Sequence, residues 1–236
     1  MTTDEICTDC AVRNRSLCGT LADPALEMLH SLGRRKRLAP GERLGWAGGE
    51  NGVCGNVLSG VLRLTASTRD GYEQIVGLLY PADFVGSPYA DASDFAVAAL
   101  TEAELCLFPR HPFEKFMNEN KSMERNLLQR TFAALDEARE RMLMLSRQSA
   151  LQKVAAFLLD MASRAEATAC RAMAGGPTTF DLPLTRGQIA DVLGLTIETV
   201  SRQMTRLKSE GIIALPSVRG VTIRDHDALR ARAQPA

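Results

Sequence analysis

The stretch Leu182–Leu215, LPLTRGQIADVLGLTIETVSRQMTRLKSEGIIAL, decides the fold. Two short helical patterns meet in it at Gly194-Leu195-Thr196. The first opens on Thr185-Arg186-Gly187-Gln188, a capping box in which the Thr185 hydroxyl accepts from the Gln188 amide and the Gln188 side chain reaches back. Ile189, Ala190 and Leu193 then share one face. Thr196 caps the second helix, and Gly211 stands where a helix stops. At about 100° per residue, Ile197, Val200, Met204 and Leu207 gather on one side, and Glu198, Ser201, Arg202 and Thr205 on the other.

That polar face is chemically selective. An arginine pairs in two-pronged fashion with guanine O6 and N7, a glutamate accepts from cytosine N4, and a serine reaches a base or a phosphate. A helix-turn-helix presents such a face, at the start of its second helix, to the major groove. The candidate DNA-contacting residues are Glu198, Ser201, Arg202, Thr196, Thr205 and Arg186. The competing reading is an ordinary helical pair with a solvated charged face. The downstream chain opposes it: Ile212–Leu215, the turn Pro216-Ser217-Val218-Arg219-Gly220 and Val221–Ile223 read as a β-hairpin, the wing of a winged helix.

Net charge is zero over 236 residues, but it is unevenly spread. Residues 1–146 hold 16 Lys/Arg and 20 Asp/Glu, net −4; residues 147–236 hold 12 and 8, net +4. The phosphate-attracting field is therefore local to the motif. No aromatics interleave with the basic residues, which excludes a single-strand stacking platform. No apolar run reaches about 18 residues, and the start MTTDEICTDC lacks the basic and apolar parts of a leader, so a cytoplasmic protein with no membrane partner is expected.

In that compartment six cysteines do not make a disulfide framework; a cluster among them points to metal or redox chemistry. Cys7, Cys10 and Cys18 are spaced C-x2-C-x7-C, with Arg13 and Arg15 between them, placed to depress thiol pKa values or to offset thiolate charge. A four-thiolate site needs one more ligand, and Cys54 in a Gly-rich connection or Cys106 in a strand can supply it. Cys170 is read as incidental in a loop over 168–177.

Between these ends the period changes twice. Residues 21–34 form a short helix on Leu26, Leu29 and Leu32, with His30 a surface or half-buried residue of it. Val57–Thr65 and Gln74–Leu79 read as strands joined through Arg69-Asp70-Gly71, and Phe95–Leu100 with Leu105–Phe108 as another strand pair. Together they imply a small antiparallel barrel or sandwich. From Pro112 to Leu145 the helical period returns, and Leu128, Thr131, Leu135, Ala138, Met142 and Leu145 step by 3, 4, 3, 4, 3, the spacing of a coiled-coil seam. A core-packed helix is the other reading; a homodimer on a two-fold operator gives the stripe a partner. Another amphipathic helix, 149–167, turns Val154, Phe157, Leu158 and Met161 inward, and Phe180–Leu182 reads as a strand entering the motif. The expected division is a cysteine-bearing segment (1–20), a β-roll (21–111), a dimerisation helix (112–146) and a winged helix-turn-helix (147–236).

In that order, the parts resemble the Crp/Fnr family of bacterial regulators over nearly the whole chain. The resemblance implies an α+β fold: an N-terminal cyclic-nucleotide-binding-like β-roll, a long dimerisation helix and a C-terminal winged helix-turn-helix. Glu198-Thr199-Val200-Ser201-Arg202 is similar to the E-x-x-S-R signature of the Fnr branch, whose members bind two-fold TTGA…TCAA sites in double-stranded DNA. It implies that Arg202 reads guanine, Glu198 the opposite-strand cytosine, and Ser201 the thymine or its phosphate, with RNA polymerase as a further partner. Cys7-x2-Cys10-x7-Cys18 with Cys106 resembles the Fnr, FnrL and FnrN type of oxygen sensor, which holds a 4Fe-4S cluster on three N-terminal cysteines and one from the β-roll. Leu105-Cys106-Leu107 ahead of Phe108-Pro109 resembles the location of that fourth ligand, which favours Cys106 over Cys54. A structural zinc would use the same four thiolates.

Two departures stand out. The family's cyclic-nucleotide branch holds the phosphate with a G-E-L segment and an R-S pair, whereas Phe84–Ala96 here lacks that arginine and puts Asp94 in place to repel phosphate, so cyclic AMP is not expected to bind. Ala138 leaves the seam without an acidic residue at its centre, which favours dimerisation of the metal-free protein. An enzyme is not expected: His30, His111 and His226 are far apart, and no H-E-x-x-H, G-x-S-x-G or phosphate-loop pattern occurs.

Overall fold

The structure, a computed structural model, describes residues 7, 10–45, 52–67, 70–71, 73–168 and 177–234. Arg69 of the expected hairpin turn, and Cys170 with most of the expected 168–177 loop, lie outside them. The chain divides into two compact units, residues 1–136 and 137–236.

The first unit opens with two short 3-10 turns, Arg13–Arg15 and Leu17–Thr20, and helix α1 (Asp23–Leu32), whose Leu26 and Leu29 are buried. Eight strands follow: β1 (Arg34–Leu38), β2 (Arg43–Gly45), β3 (Val53–Ser59), β4 (Leu62–Ser67), β5 (Glu73–Leu79), β6 (Phe84–Val85), β7 (Phe95–Ala99) and β8 (Ala103–Pro109). They form two antiparallel sheets, β1-β8-β3-β6 and β2-β7-β4-β5. Leu38, Val57, Leu105 and Leu107 from the first sheet pack with Leu62, Val97 and Ala99 from the second.

Three strand readings are corrected. Val57–Thr65 is not one strand: the chain turns a corner at Gly60, where φ is +80° and a Cβ would meet the Glu102 carbonyl at 2.2 Å, so only glycine fits. Its two halves belong to different sheets. β7 and β8 do not pair; β7 lies between β2 and β4, β8 between β1 and β3. Cys54 sits within β3 rather than in a connection. The hairpin of β4 and β5 forms as expected, with Gly71 at φ +84°.

A second cluster packs beneath α1. There Phe113 stacks between Phe84 and Phe108, with ring centroids 5.6 and 5.4 Å away. Leu17, Leu26, Leu29 and Cys54 are buried with them.

The helical stretch expected from Pro112 to Leu145 is two helices, α2 (Arg110–Glu119) and α3 (Lys121–Arg147). Asn120 separates them: its backbone leaves the helical region (φ −118°, ψ 77°), and its side-chain amide donates to the Phe116 carbonyl at 2.8 Å, competing with the ladder. Along α3, Leu128, Thr131, Leu135, Ala138, Met142 and Leu145 are all exposed in the single chain, and Met142 is 61% exposed.

In the second unit, α4 (Ala150–Thr168) starts at Ser149, whose amide donates to the Gln152 side chain at 2.7 Å while its hydroxyl accepts from the Gln152 amide. Val154, Phe157, Leu158 and Met161 are buried, as their spacing requires. Then come β9 (Thr178–Asp181), α5 (Arg186–Leu193), α6 (Ile197–Ser209), β10 (Ile213–Ala214), β11 (Gly220–Ile223) and α7 (His226–Ala233), with sheet order β10-β11-β9. Sequence periodicity did not reveal α7. Its start is signalled by Asp225, whose carboxylate accepts from the Ala228 amide at 2.9 Å, and Leu229 anchors it in the core.

Candidate DNA-reading face and thiol cavity

The helix-turn-helix is a locally capped scaffold. Thr185 accepts from the Gln188 amide at 3.3 Å, and the Gln188 side chain accepts from the Thr185 amide at 2.8 Å. Gly194 ends α5 in the left-handed region (φ +60°), and Thr196 caps α6 by accepting from the Thr199 amide at 3.2 Å. Val200, Met204 and Leu207 hold α6 to the core. Ile197, grouped with them by its spacing, is 52% exposed, because the first turn of α6 extends beyond the packed surface.

Thr196, Glu198, Ser201, Arg202 and Thr205 are all exposed. Glu198 accepts from its own amide and from the Thr196 hydroxyl, which hold its carboxyl below the usual range and keep it an acceptor. Arg186 differs: it is half-buried, its guanidinium reaches the Met204 sulfur, and burial lowers its pKa. At the wing, Ser217 accepts from the Gly220 amide at 2.7 Å, leaving Val218 85% exposed at the tip.

The second site lies in the first unit. Cys7, Cys10, Cys18 and Cys106 line one cavity, together with Arg13, Ser16, His30 and Asn56. Four separate segments build it: the amino-terminal turns, α1, β3 and β8. Cys7 Sγ lies 3.1 Å from His30 Nδ1, and Asn56 Nδ2 donates to Cys18 Sγ at 3.6 Å. Cys54 is not among the lining residues: its thiol donates to the Phe108 carbonyl at 4.0 Å among packed side chains. Gly33 leaves room for the fourth thiol, since a Cβ there would stand 3.3 Å from Cys106 Sγ and 2.9 Å from the Phe108 ring.

Arg13 lowers Cys7 as expected, but at three of the thiols burial outweighs any such help. Burial pushes Cys18 up to about 11 and Cys106 to about 12, and raises Cys7, with neighbouring thiols adding to the rise. Arg35 of β1 and Arg13 oppose this only in part at Cys7, and Arg13 is paired with Asp23 at 2.8 Å. Among the described residues, no three His, Cys, Asp or Glu side chains are grouped closely enough to hold a single metal ion. All four thiols line the one cavity.

Residues 152–232 match a Crp-like helix-turn-helix domain and residues 35–120 a cyclic nucleotide-binding domain. The chain is 41% identical to the transcriptional activator protein FnrL of Cereibacter sphaeroides, over 93% of this chain and 88% of that protein. The chain belongs to the Crp/Fnr family of transcription regulators.

The nitrogen fixation regulation protein FixK of Bradyrhizobium diazoefficiens is 38% identical over 89% of this chain and 86% of its own length. Among solved structures, FixK2 from Bradyrhizobium japonicum superposes with a TM-score of 0.76 at 28% identity, over 86% of this chain and 98% of that one. Members of the Crp/Fnr family bind DNA and act as dimers; they are regulators, not enzymes. No helix among the described residues is long and apolar enough to cross a membrane.

Three contacts of this family member escaped sequence reasoning. His30 and Asn56 line the thiol cavity. Arg130 of α3 donates to the carbonyls of Arg15 and, at 3.3 Å, of Ala82, and to Asn126 Oδ1 at 3.3 Å, so one side chain joins the cysteine segment, the β-roll and the long helix. The pairing of Asn56 with Cys106 depends on strand register, and that of Arg130 with Arg15 on contacts 115 residues apart; neither leaves a periodic trace.

Proposed function

We propose that this family member is a cytoplasmic, oxygen-responsive transcription regulator holding a 4Fe-4S cluster on Cys7, Cys10, Cys18 and Cys106. It binds two-fold TTGA…TCAA sites as a homodimer and works with RNA polymerase. The observation that carries this reading is the single cavity lined by all four of those cysteines and not by Cys54. Four thiolates are the ligand set that a 4Fe-4S cluster takes, and a structural zinc would use the same four. Bound there, the group supplies the reactivity toward oxygen.

The chain's own residues do the rest. Ligation ties residues 7–18 to β8. Arg130 reads the position of that segment through the Arg15 carbonyl and passes it to α3, whose exposed stripe at Leu128, Leu135 and Met142 pairs with a second copy. Pairing brings two recognition helices to one operator, where Arg202 reads guanine, Glu198 cytosine and Ser201 thymine or its phosphate. Thr196 and Thr205 flank them on the same exposed face. The half-buried Arg186 supports α6 through Met204 and sits beside this contact surface.

Cyclic AMP has no place in this scheme. In the 84–96 segment Asp94 is exposed, and nearby Arg110 is engaged with the Ala90 carbonyl and, at 2.8 Å, with Asp91. The test is fluorescence anisotropy with a TTGA…TCAA duplex, before and after air exposure of anaerobically purified protein. Salt-sensitive binding that weakens in air is expected. Equal affinity in both states would contradict the oxygen response, and no salt-dependent DNA binding would contradict the operator reading.

A further inference from the structure

We propose that Asn56 is a positioning residue for the thiolate set: its buried side-chain amide holds Cys18 beside Cys106 and favours the ligated form of Cys18. The inference rests on the cluster reading above and assigns a role to a residue outside the ligand set. Asn56 lies in β3 directly opposite Cys106 of β8. Side chains opposed across an antiparallel pair emerge on the same face, so the amide stands next to the fourth thiol. From there Nδ2 donates to Cys18 Sγ at 3.6 Å. One side chain on a paired strand thus connects the third thiol, on the amino-terminal turns, with the strand pair that carries the fourth.

Burial makes this placement costly. Asn56 is 2% exposed, and among the described residues its Oδ1 has no hydrogen-bond partner. Its neighbours on that face of β3, Cys54 and Leu58, are apolar in character, and a leucine would fill the same space without an orphaned acceptor. A buried polar group with an unmet partner calls for a role that offsets its cost. The role follows from the acceptor. An N–H donated to a neutral thiol is a weak bond; donated to a thiolate it is charge-assisted and roughly twice as strong. The amide therefore stabilises Cys18 more as a ligand than as a free thiol, and it keeps the third thiol near the fourth before ligation.

The test compares wild-type protein with Asn56→Leu and Asn56→Asp. The aspartate keeps the shape of the side chain and removes the N–H donor, and it decides the matter if the leucine variant does not fold. Two quantities are read. In metal-free protein under anaerobic conditions, the rate of Cys18 alkylation by iodoacetamide is followed by peptide mass mapping. In reconstituted protein, the rate of iron loss to a chelator is followed by absorbance, again without air. Both variants are expected to alkylate Cys18 several-fold more slowly, because the reactive thiolate loses its donor, and to lose iron roughly 10-fold faster, the usual consequence of removing an outer-shell partner. Unchanged iron loss in a folded variant overturns the proposal, whether or not alkylation changes, because it reduces the amide to packing. Wild-type protein that takes up neither iron nor sulfide defeats the cluster reading itself; wild-type protein that loads normally and is indifferent to the substitution defeats only the role of Asn56.

Discussion

The DNA-reading face and the thiol cavity are built in opposite ways. The first is local: within 25 residues the chain caps two helices with their own side chains, buries one face and leaves five polar groups exposed on the other. The second is assembled from four segments as distant as residues 7 and 106, and its thiols are half-buried and mutually repelling once charged. A site made of neighbours tolerates loss of one member. A site made by register and burial depends on every strand that brings its parts together.

That difference can be tested from its largest consequence downward. Cys106→Ala is expected to abolish cluster loading, whereas Cys54→Ala leaves it intact; equal iron content in the two variants would break the distinction between a cavity ligand and a packed thiol. Next in size is the unpartnered stripe of α3. Leu135→Asp is expected to weaken self-association by about 1.5–3 kcal/mol per buried leucine, measured by sedimentation, without changing iron content. Arg202→Ala should cost about 1–3 kcal/mol per half-site and relax discrimination at its guanine. If it weakened all sequences equally, base reading by Arg202 would be wrong. Thr185→Ala, which removes one side of the capping box, is expected to cost about 1 kcal/mol of stability in the second unit and to leave the cavity untouched.

The cavity also predicts a pH response on the alkaline side. Its thiols have ordinary values near 9.0 when exposed and are raised by burial, Cys18 to about 11 and Cys106 to about 12. The folded state therefore holds these protons more tightly. Their stabilising contribution is complete below pH 9 and is lost as pH climbs through about 11 and 12, because unfolded chains ionise first. Thermal melts of the metal-free protein should fall across that window. Iron loading has the opposite sign: ligation requires thiolates, so protons are released and affinity rises with pH.

The same contrast governs what could be read from the sequence. Capping box, turn glycine, buried face and wing were legible because each is a short-range pattern, and the matches to residues 35–120 and 152–232 fit the architecture so inferred. Ile197 misled because periodicity assigns a face but not the depth at which the helix sits. In the β-roll, apolar alternation runs unbroken through Gly60, and only the positive φ reveals that the chain changes sheet there. The three amino-terminal cysteines announced themselves by spacing; that Cys106 lines their cavity and Cys54 does not shows only in the packing. His30 looked like any half-buried helix residue until α1 was packed against Cys7.

The most direct measurement is iron, zinc and acid-labile sulfide content, with a visible spectrum, on anaerobically purified wild-type and Cys106→Ala protein before and after air. The account predicts about four irons and four sulfides per wild-type chain, colour that bleaches in air, and neither in the variant. Zinc without sulfide, or a cluster that survives loss of Cys106, would contradict it.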